Sequence, residues 1–308
     1  MNRISRSIKR SVQAQASHVP PDVPVRHMDF SFESANLVRY VYDNDPFYSA
    51  LLMTFSAVIP HGERFFIESV RNYRGQIRDA RLQDRVTGFI GQEAMHGKEH
   101  DTMNEAYDAM GFPLLRIDSL SQRGFKWFAR LAPKRMQLAF TVAIEHLTAI
   151  ISEYTFRRPE IQAKYDPEAL KFTLWHMVEE TEHKAVAFDV YEATGGGYLT
   201  RISTMIVSLI GLGLPIAIFH LWIIAADRSV GTVLRHPRGI AGVYGRRGLI
   251  MSLAPAFFDF FRPSFHPSQH DTDALLVQMH ERLFSERGEL AAQIKKTIVP
   301  RRRMSAAT

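Results

Sequence analysis

From residue 30 onward, apolar residues recur at intervals of three and four, with no sustained alternation of period two. That pattern predicts helix almost throughout. A first helix starts after Asp43-Asn44-Asp45-Pro46, an acidic cap followed by a proline placed for the first turn, and Pro60 and Gly62 are expected to interrupt it just before Glu63. A second runs from about Asp79 to Met110 and stops at Gly111-Phe112-Pro113; Gly88 and Gly91 inside it predict close packing or a local bulge near Glu93. A third spans Lys134 to Arg158, and a fourth begins at Asp166-Pro167-Glu168 and ends at Gly195-Gly196-Gly197. Residues 112–131 read as a long crossover between two helix pairs, since a helical hairpin needs only about 2–8 residues.

Beyond the glycine triplet the pattern changes. Ile202 to Ala226 contains no Asp, Glu, Lys or Arg and exceeds the roughly 20 residues of a membrane helix. Gly211-Leu212-Gly213-Leu214-Pro215 in its middle predicts a helix pair bent there. Arg228, Arg235, Arg238, Arg246 and Arg247 follow it and would stay in the cytoplasm, as would the domain before it, so a single crossing is not expected. The expectation is a pair dipping into one leaflet or walling a lipid-substrate tunnel, joined by the apolar run Leu249 to Phe261. A buried hairpin or an oligomer interface is the alternative.

Composition narrows the chemistry. The 308 residues are 46% apolar, enough for a core, and contain no cysteine, which removes disulfides, zinc–thiolate sites, Cys-ligated clusters and thiol nucleophiles. A metal would have to sit on histidine and carboxylate. The net charge of +6 is concentrated at the two ends and around 228–247, without an RNA-binding motif, so nucleic acid is not an expected partner. Arg3, Arg6, Lys9 and Arg10, with Pro20, Pro21 and Pro24 and no long apolar run, read as a solvated tail, or as a weak lipid-surface helix or transit-like peptide, rather than a secretory signal. The expected organisation is a basic tail over 1–29, a helical bundle over 30–198, hydrophobic and membrane-associated helices over 199–262, and a C-terminal helix and basic tail over 263–308. The expected location is the cytoplasm, peripheral to the inner face of the cytoplasmic membrane.

The chemistry lies on the four helices. His176, Glu180 and His183 stand at i, i+4 and i+7, on one helical face. Glu93 and His96 form a second Glu-x-x-His pair; Glu63 lies 30 residues before Glu93, and Glu145 lies 35 before Glu180. Glu145 sits among Ala139, Phe140, Val142, Ala143, Ile144, Leu147 and Ile150, where a carboxylate without a partner would be costly. In order, the helices carry Glu63, Glu93 with His96, Glu145, and Glu180 with His183. That is the ligand set of a ferritin-like di-iron four-helix bundle. The fold class is therefore all-α: a ferritin-like four-helix bundle with a C-terminal hydrophobic helical appendage. Gln92 and Glu179, each preceding a ligand glutamate, are assigned to orient His183 and His96 on partner helices. His146 points away from the Glu145 face, His100 is expected beside the site or exposed, and His266 is expected to stabilise the turn between Pro263 and Pro267.

Two resemblances follow from these residues. The His176-x-x-x-Glu180-x-x-His183 arrangement is similar to that of arylamine N-oxygenase-type di-iron enzymes, which implies His176 as a seventh ligand. Residues Ile59-Pro60-His61-Gly62-Glu63-Arg64-Phe65-Phe66, Gly91-Gln92-Glu93-Ala94-Met95-His96, Glu179-Glu180-Thr181-Glu182-His183-Lys184 and Arg262-Pro263-Ser264-Phe265-His266-Pro267 resemble a bacterial family labelled "predicted metal-dependent hydrolase", over roughly 30–275.

The expected function is a non-haem di-iron oxidase or oxygenase that activates O2 to oxidise a hydrophobic, lipid-like or aromatic substrate. Two irons, or a manganese–iron pair, would be held by Glu63, Glu93, His96, Glu145, His176, Glu180 and His183, with Phe89, Phe140 and Phe188 enclosing the substrate or serving equally as plain core. No flavin, NAD or iron–sulfur fingerprint is present, so an external donor, a separate reductase, is expected to supply electrons. A homodimer is compatible with this reading. The alternatives are a dinuclear metal-dependent hydrolase, or a non-catalytic metal- or lipid-binding protein.

Overall fold

The structure is a computed structural model and describes residues 22–32, 37–227 and 236–300. The protein is all-α, with one short two-stranded sheet among the described residues. Strand β1 (Val25–Met28) pairs antiparallel with β2 (Ile294–Ile298), joining the two ends of the described chain. Helices α1 (Pro46–Arg74), α2 (Ala80–Ala109), α3 (Leu114–Leu131), α4 (Lys134–Phe156), the short α5 (Pro159–Gln162), α6 (Pro167–His183) and α7 (Val186–Ala193) build the bundle. Helices α8 (Tyr198–Ala226), α9 (Pro237–Tyr244), α10 (Leu249–Asp259) and α11 (Asp273–Phe284) pack around it. Within the bundle α1 lies on α2 and α4 on α6, and α1 also touches α4.

Helix starts follow the expected chemistry. Asp45 Oδ1 accepts from Tyr48 N at 2.9 Å, with Pro46 in the first turn, and Asp166 caps α6 through Glu168 N and Ala169 N, with Pro167 in its first turn. Gly111 and Gly195 take positive φ just past the ends of α2 and α7, where a side chain would be strained. The glycines inside α2 serve packing rather than a bulge. A Cβ on Gly88 would lie 2.2 Å from Val23 O, and one on Gly91 2.3 Å from Val25 Cγ2, so these two positions let β1 cross directly over α2.

Several expectations are corrected. Helix α1 continues through Pro60 and Gly62. The carbonyl of Ser56, deprived of its partner by the proline, accepts instead from Asn104 Nδ2 at 2.9 Å. Residues 114–131, expected as the connection between the two helix pairs, form a helix, α3. Leu114, Ile117, Ser121, Phe125 and Phe128 turn inward from it, and Gly124 is too weak a breaker to undo that packing. The fourth helix is divided at Lys184–Ala185, directly after His183; Lys184 Nζ donates to His270 O and Thr272 Oγ1 at 2.5 and 2.8 Å. The apolar segment is a single helix, α8, that passes through Pro215 without forming a bent pair; packing along α1 and α4 offsets the one lost hydrogen bond. The tail expected over 1–29 lies outside the described residues up to 21, while Val25–Met28 form β1 against β2. Arg228 and Arg235 also lie outside the described residues.

Candidate metal centre

Four helices bring the predicted ligands to one place. Glu63 comes from α1, Glu93 and His96 from α2, Glu145 from α4, and His176, Glu180 and His183 from α6. All but His176 are buried; His176 is partly so, with 12% of its side chain exposed. Their donor atoms fall into two groups. Glu63, His96, His176 and Glu180 form one, and Glu93, Glu180 and His183 the other, with the donor atoms of each within 4.8 Å of one another. Glu145 joins the second group, its Oε2 being 3.3 Å from His183 Nε2, the same distance as Glu93 Oε1. Glu180 belongs to both. Its Oε1 lies 3.0 Å from His176 Nε2 and 3.6 Å from His96 Nδ1, while its Oε2 lies 3.5 Å from His183 Nε2 and accepts from Thr148 Oγ1.

The surroundings leave one bare nitrogen on each histidine facing the centre. His96 Nε2 donates to Glu179 Oε2 at 3.0 Å, which leaves Nδ1 free inward. His183 Nδ1 donates to Gln92 Oε1 at 2.9 Å, and the direction is set because Gln92 Nε2 is committed to Pro24 O and Glu182 Oε2. A longer chain sets His176. Ser56 Oγ gives its single proton to Asn104 Oδ1 at 2.7 Å and so accepts from His100 Nδ1 at 2.9 Å. His100 Nε2 must then accept from His176 Nδ1 at 2.8 Å, which leaves His176 Nε2 bare toward Glu180 and Glu63. His100 is thus buried behind the site rather than exposed. His146 turns away as expected and bonds Ala256 O, and His266 caps its own turn through Ser268 N while bonding Asp189.

A buried arginine ties the two outer shells of the site together. Arg26, on β1, donates from Nη1 to Glu179 Oε1 and Glu182 Oε2 at 2.9 Å each, and from Nη2 to Glu182 Oε1 at 2.6 Å. Glu179 holds His96, and Glu182 holds Gln92, which holds His183. His280 of α11 adds a bond to Glu182 Oε1 at 2.7 Å. Arg26, Glu182 and His280 were not foreseen. Arg26 is 153 residues from Glu179, and no local spacing connects them. Glu182 was readable as a neighbour of His183, and His100 as one turn beyond His96.

Without a metal the cluster is electrostatically frustrated. Burial, then the neighbouring carboxylates, holds Glu63 and Glu93 well above the usual carboxylate range, and burial pushes Glu145 up to about 7. Glu179 is pushed up to about 8 by burial, with Arg26 opposing. Burial raises Glu180 too, but the neighbouring His183 and His176 together outweigh it and hold Glu180 well below the usual carboxylate range; burial opposes the charged form of His183, but Glu145 and Glu180 outweigh that and raise it.

The orphaned atoms test whether metals fit. Both carboxylate oxygens of Glu63, Glu93 and Glu145, together with His96 Nδ1 and His183 Nε2, are buried without any hydrogen-bond partner. They are the inward atoms of the predicted ligands, and hard carboxylate oxygens with imidazole nitrogens suit a divalent first-row metal. Fold and site together define an all-α protein with a buried Glu/His cluster able to hold metal ions. A family model described as "Predicted metal-dependent hydrolase" matches residues 24–271, and the chain belongs to that family. No curated protein and no solved structure matches it.

Proposed function

We propose that the protein is a ferritin-like dinuclear metalloenzyme that holds two irons, or a manganese–iron pair, and uses O2 to oxidise a hydrophobic substrate. The observation that carries this reading is the set of buried donors, two single glutamates and two Glu-x-x-His pairs on four helices, in which Glu63, Glu93, Glu145, His96 and His183 turn unpartnered atoms toward the shared carboxylate of Glu180. Bound there, the metal pair would supply electrons to O2 and Lewis acidity to its reduction. Glu63, His96 and His176 would hold one ion and Glu93, Glu145 and His183 the other, with Glu180, which belongs to both groups, contributing to both. Glu179, Gln92 and His100 keep the three imidazoles in the metal-binding tautomer. Phe89, whose ring lies 4.9 Å from that of His183, and Phe140 and Phe188 of the same core exclude water and favour an apolar substrate. With no cysteine in the chain, a separate reductase is the electron source. The working location is the cytoplasm.

A second reading is a dinuclear hydrolase, in which the two ions acidify a water that attacks an ester, amide or phosphate. The family description favours this reading, whereas the carboxylate-rich donor set favours O2 chemistry. Metal analysis of anaerobically purified protein, followed by rapid mixing of the ferrous form with O2, separates them. About two irons per chain and a transient visible band, absent in Glu180→Ala, are expected. Bound zinc, or ferrous protein inert to O2, would favour the hydrolase, and a protein that takes up no metal would overturn both.

A further inference from the structure

Helix α8 buries Met205, Ile223 and Ile224 against the bundle, yet leaves much of its apolar surface facing outward. Its inward side carries Arg201, Thr204, Ser208 and His220, all buried; Arg201 donates to Phe265 O and Arg262 O, and His220 bonds Phe47 O. Its outward side presents Leu199, Ile206, Ile210, Leu214, Ile218 and Leu221 to the exterior, with Ile210 67% and Leu214 61% exposed. Among the described residues it is the helix long and apolar enough to cross a membrane, yet only 17% of its most apolar window is buried. An outward apolar strip about 33 Å long, from Leu199 to Leu221, is far larger than the scattered apolar residues of an ordinary wet surface.

Helix α10 widens the strip. Tyr198 donates from its hydroxyl to Phe261 O, so the start of α8 adjoins the end of α10. At the other end Tyr244 lies beside Phe47, which packs on His220. The two helices therefore run antiparallel, and Ile250, Met251 and Phe258 of α10 are exposed as well. One end of the face is aromatic and basic, with Tyr244, Arg246 and Arg247 all exposed; at the other stand the exposed Tyr198 and Arg262, the latter paired with Asp259 at 3.5 Å. A second copy laid parallel on this face would set Arg246 and Arg247 against their own counterparts. Lipid phosphate would not, and tyrosine with arginine flanking an apolar band matches a bilayer's interface. The inner side of α8 rests on α1 and α4, which carry Glu63 and Glu145, so spanning would draw the polar bundle into hydrocarbon.

We propose that the face formed by α8 and α10 docks flat on an anionic lipid bilayer, with its apolar side chains in the outer acyl layer of one leaflet and its arginines at the phosphates. This goes beyond the proposed chemistry and stands whichever reaction the metal centre performs.

The test is flotation of the full-length protein with extruded vesicles of phosphatidylcholine alone or with added phosphatidylglycerol. Wild type is expected to float with the anionic vesicles and to stay bound in high salt, where purely electrostatic attachment of the basic termini is screened. Ile210→Asp combined with Leu214→Asp is expected to cut the bound fraction at least about tenfold, with an unchanged circular dichroism spectrum, because both side chains are exposed. Arg246→Glu with Arg247→Glu is expected to remove the preference for phosphatidylglycerol, and it guards against a folding defect in the first variant. The proposal is overturned if wild type stays in the aqueous fraction. It is overturned too if the aspartate variant floats like wild type, or if sedimentation shows a dimer that this variant dissociates.

Discussion

Arg26 is the residue whose loss tests the architecture of the metal centre most directly. Replacing it with methionine keeps a similar stem and removes three hydrogen bonds to two carboxylates that are almost wholly buried. Losing one partner of a buried ion pair typically costs about 3–5 kcal/mol, because the remaining charge is left without compensation. For a chain of this size each kcal/mol corresponds to roughly 2–4 °C, so Arg26→Met is expected to lower Tm by on the order of 10 °C. Stability alone would not distinguish a metal-site role from a structural one. Arg26 also orients Glu179 and Glu182, hence His96 and His183, so metal affinity is expected to fall about 10–100-fold in titrations of folded protein well below Tm. Arg26→Lys, which retains the charge but not the two-pronged geometry, should fall between the two. Unchanged metal affinity in a folded Arg26→Met variant would refute the link between β1 and the histidines, and an unchanged Tm would refute the burial argument.

Other outcomes follow from the same contacts. Gly88→Ala would place a methyl 2.2 Å from the Val23 carbonyl; the strand must move, and a net loss of about 1–2 kcal/mol is expected after the helix-propensity gain, with reduced metal affinity as Arg26 shifts, read by denaturant unfolding and metal titration. Because Glu63, Glu93 and Glu145 are raised, the last to about 7, the free site is partly protonated at neutral pH, so metal binding should release protons and tighten as pH rises. Calorimetry in buffers of different ionisation enthalpy checks this, and zero release would count against it. Glu153, held down to about 2 first by its bond from His270, contributes stability that is present above its unfolded pKa near 4.3 and is lost as pH falls toward 2. Glu153→Gln should therefore cost about 1–2 kcal/mol at pH 6 and progressively less on acidification, measured by denaturant unfolding at each pH.

The all-α class and the pairing of ligands to helices were legible along the chain because both depend on short-range periodicity. A Glu-x-x-His pair shares a helix face wherever a helix forms, and Asp45-Pro46 or Gly111 mark ends by local backbone preference. Buried carboxylates among apolar residues, Glu145 above all, also announce themselves, since such a group needs a partner. Local signals misled where distant packing outweighed them. Pro60 does not break α1 because Asn104, 48 residues beyond Ser56, takes up the orphaned carbonyl. Gly124 does not keep 114–131 from becoming helix, because aromatic side chains of that stretch dock on Phe65 and Phe140. The Gly-Leu-Gly-Leu-Pro stretch does not end α8 while α1 and α4 support its length. Arg26, His280 and the Ser56–His100–His176 chain left no trace in spacing. They come from segments brought together only when β1 crosses the glycines of α2 and α11 closes over α6, and a hydrogen-bond network among remote residues exists only once the chain is folded around it.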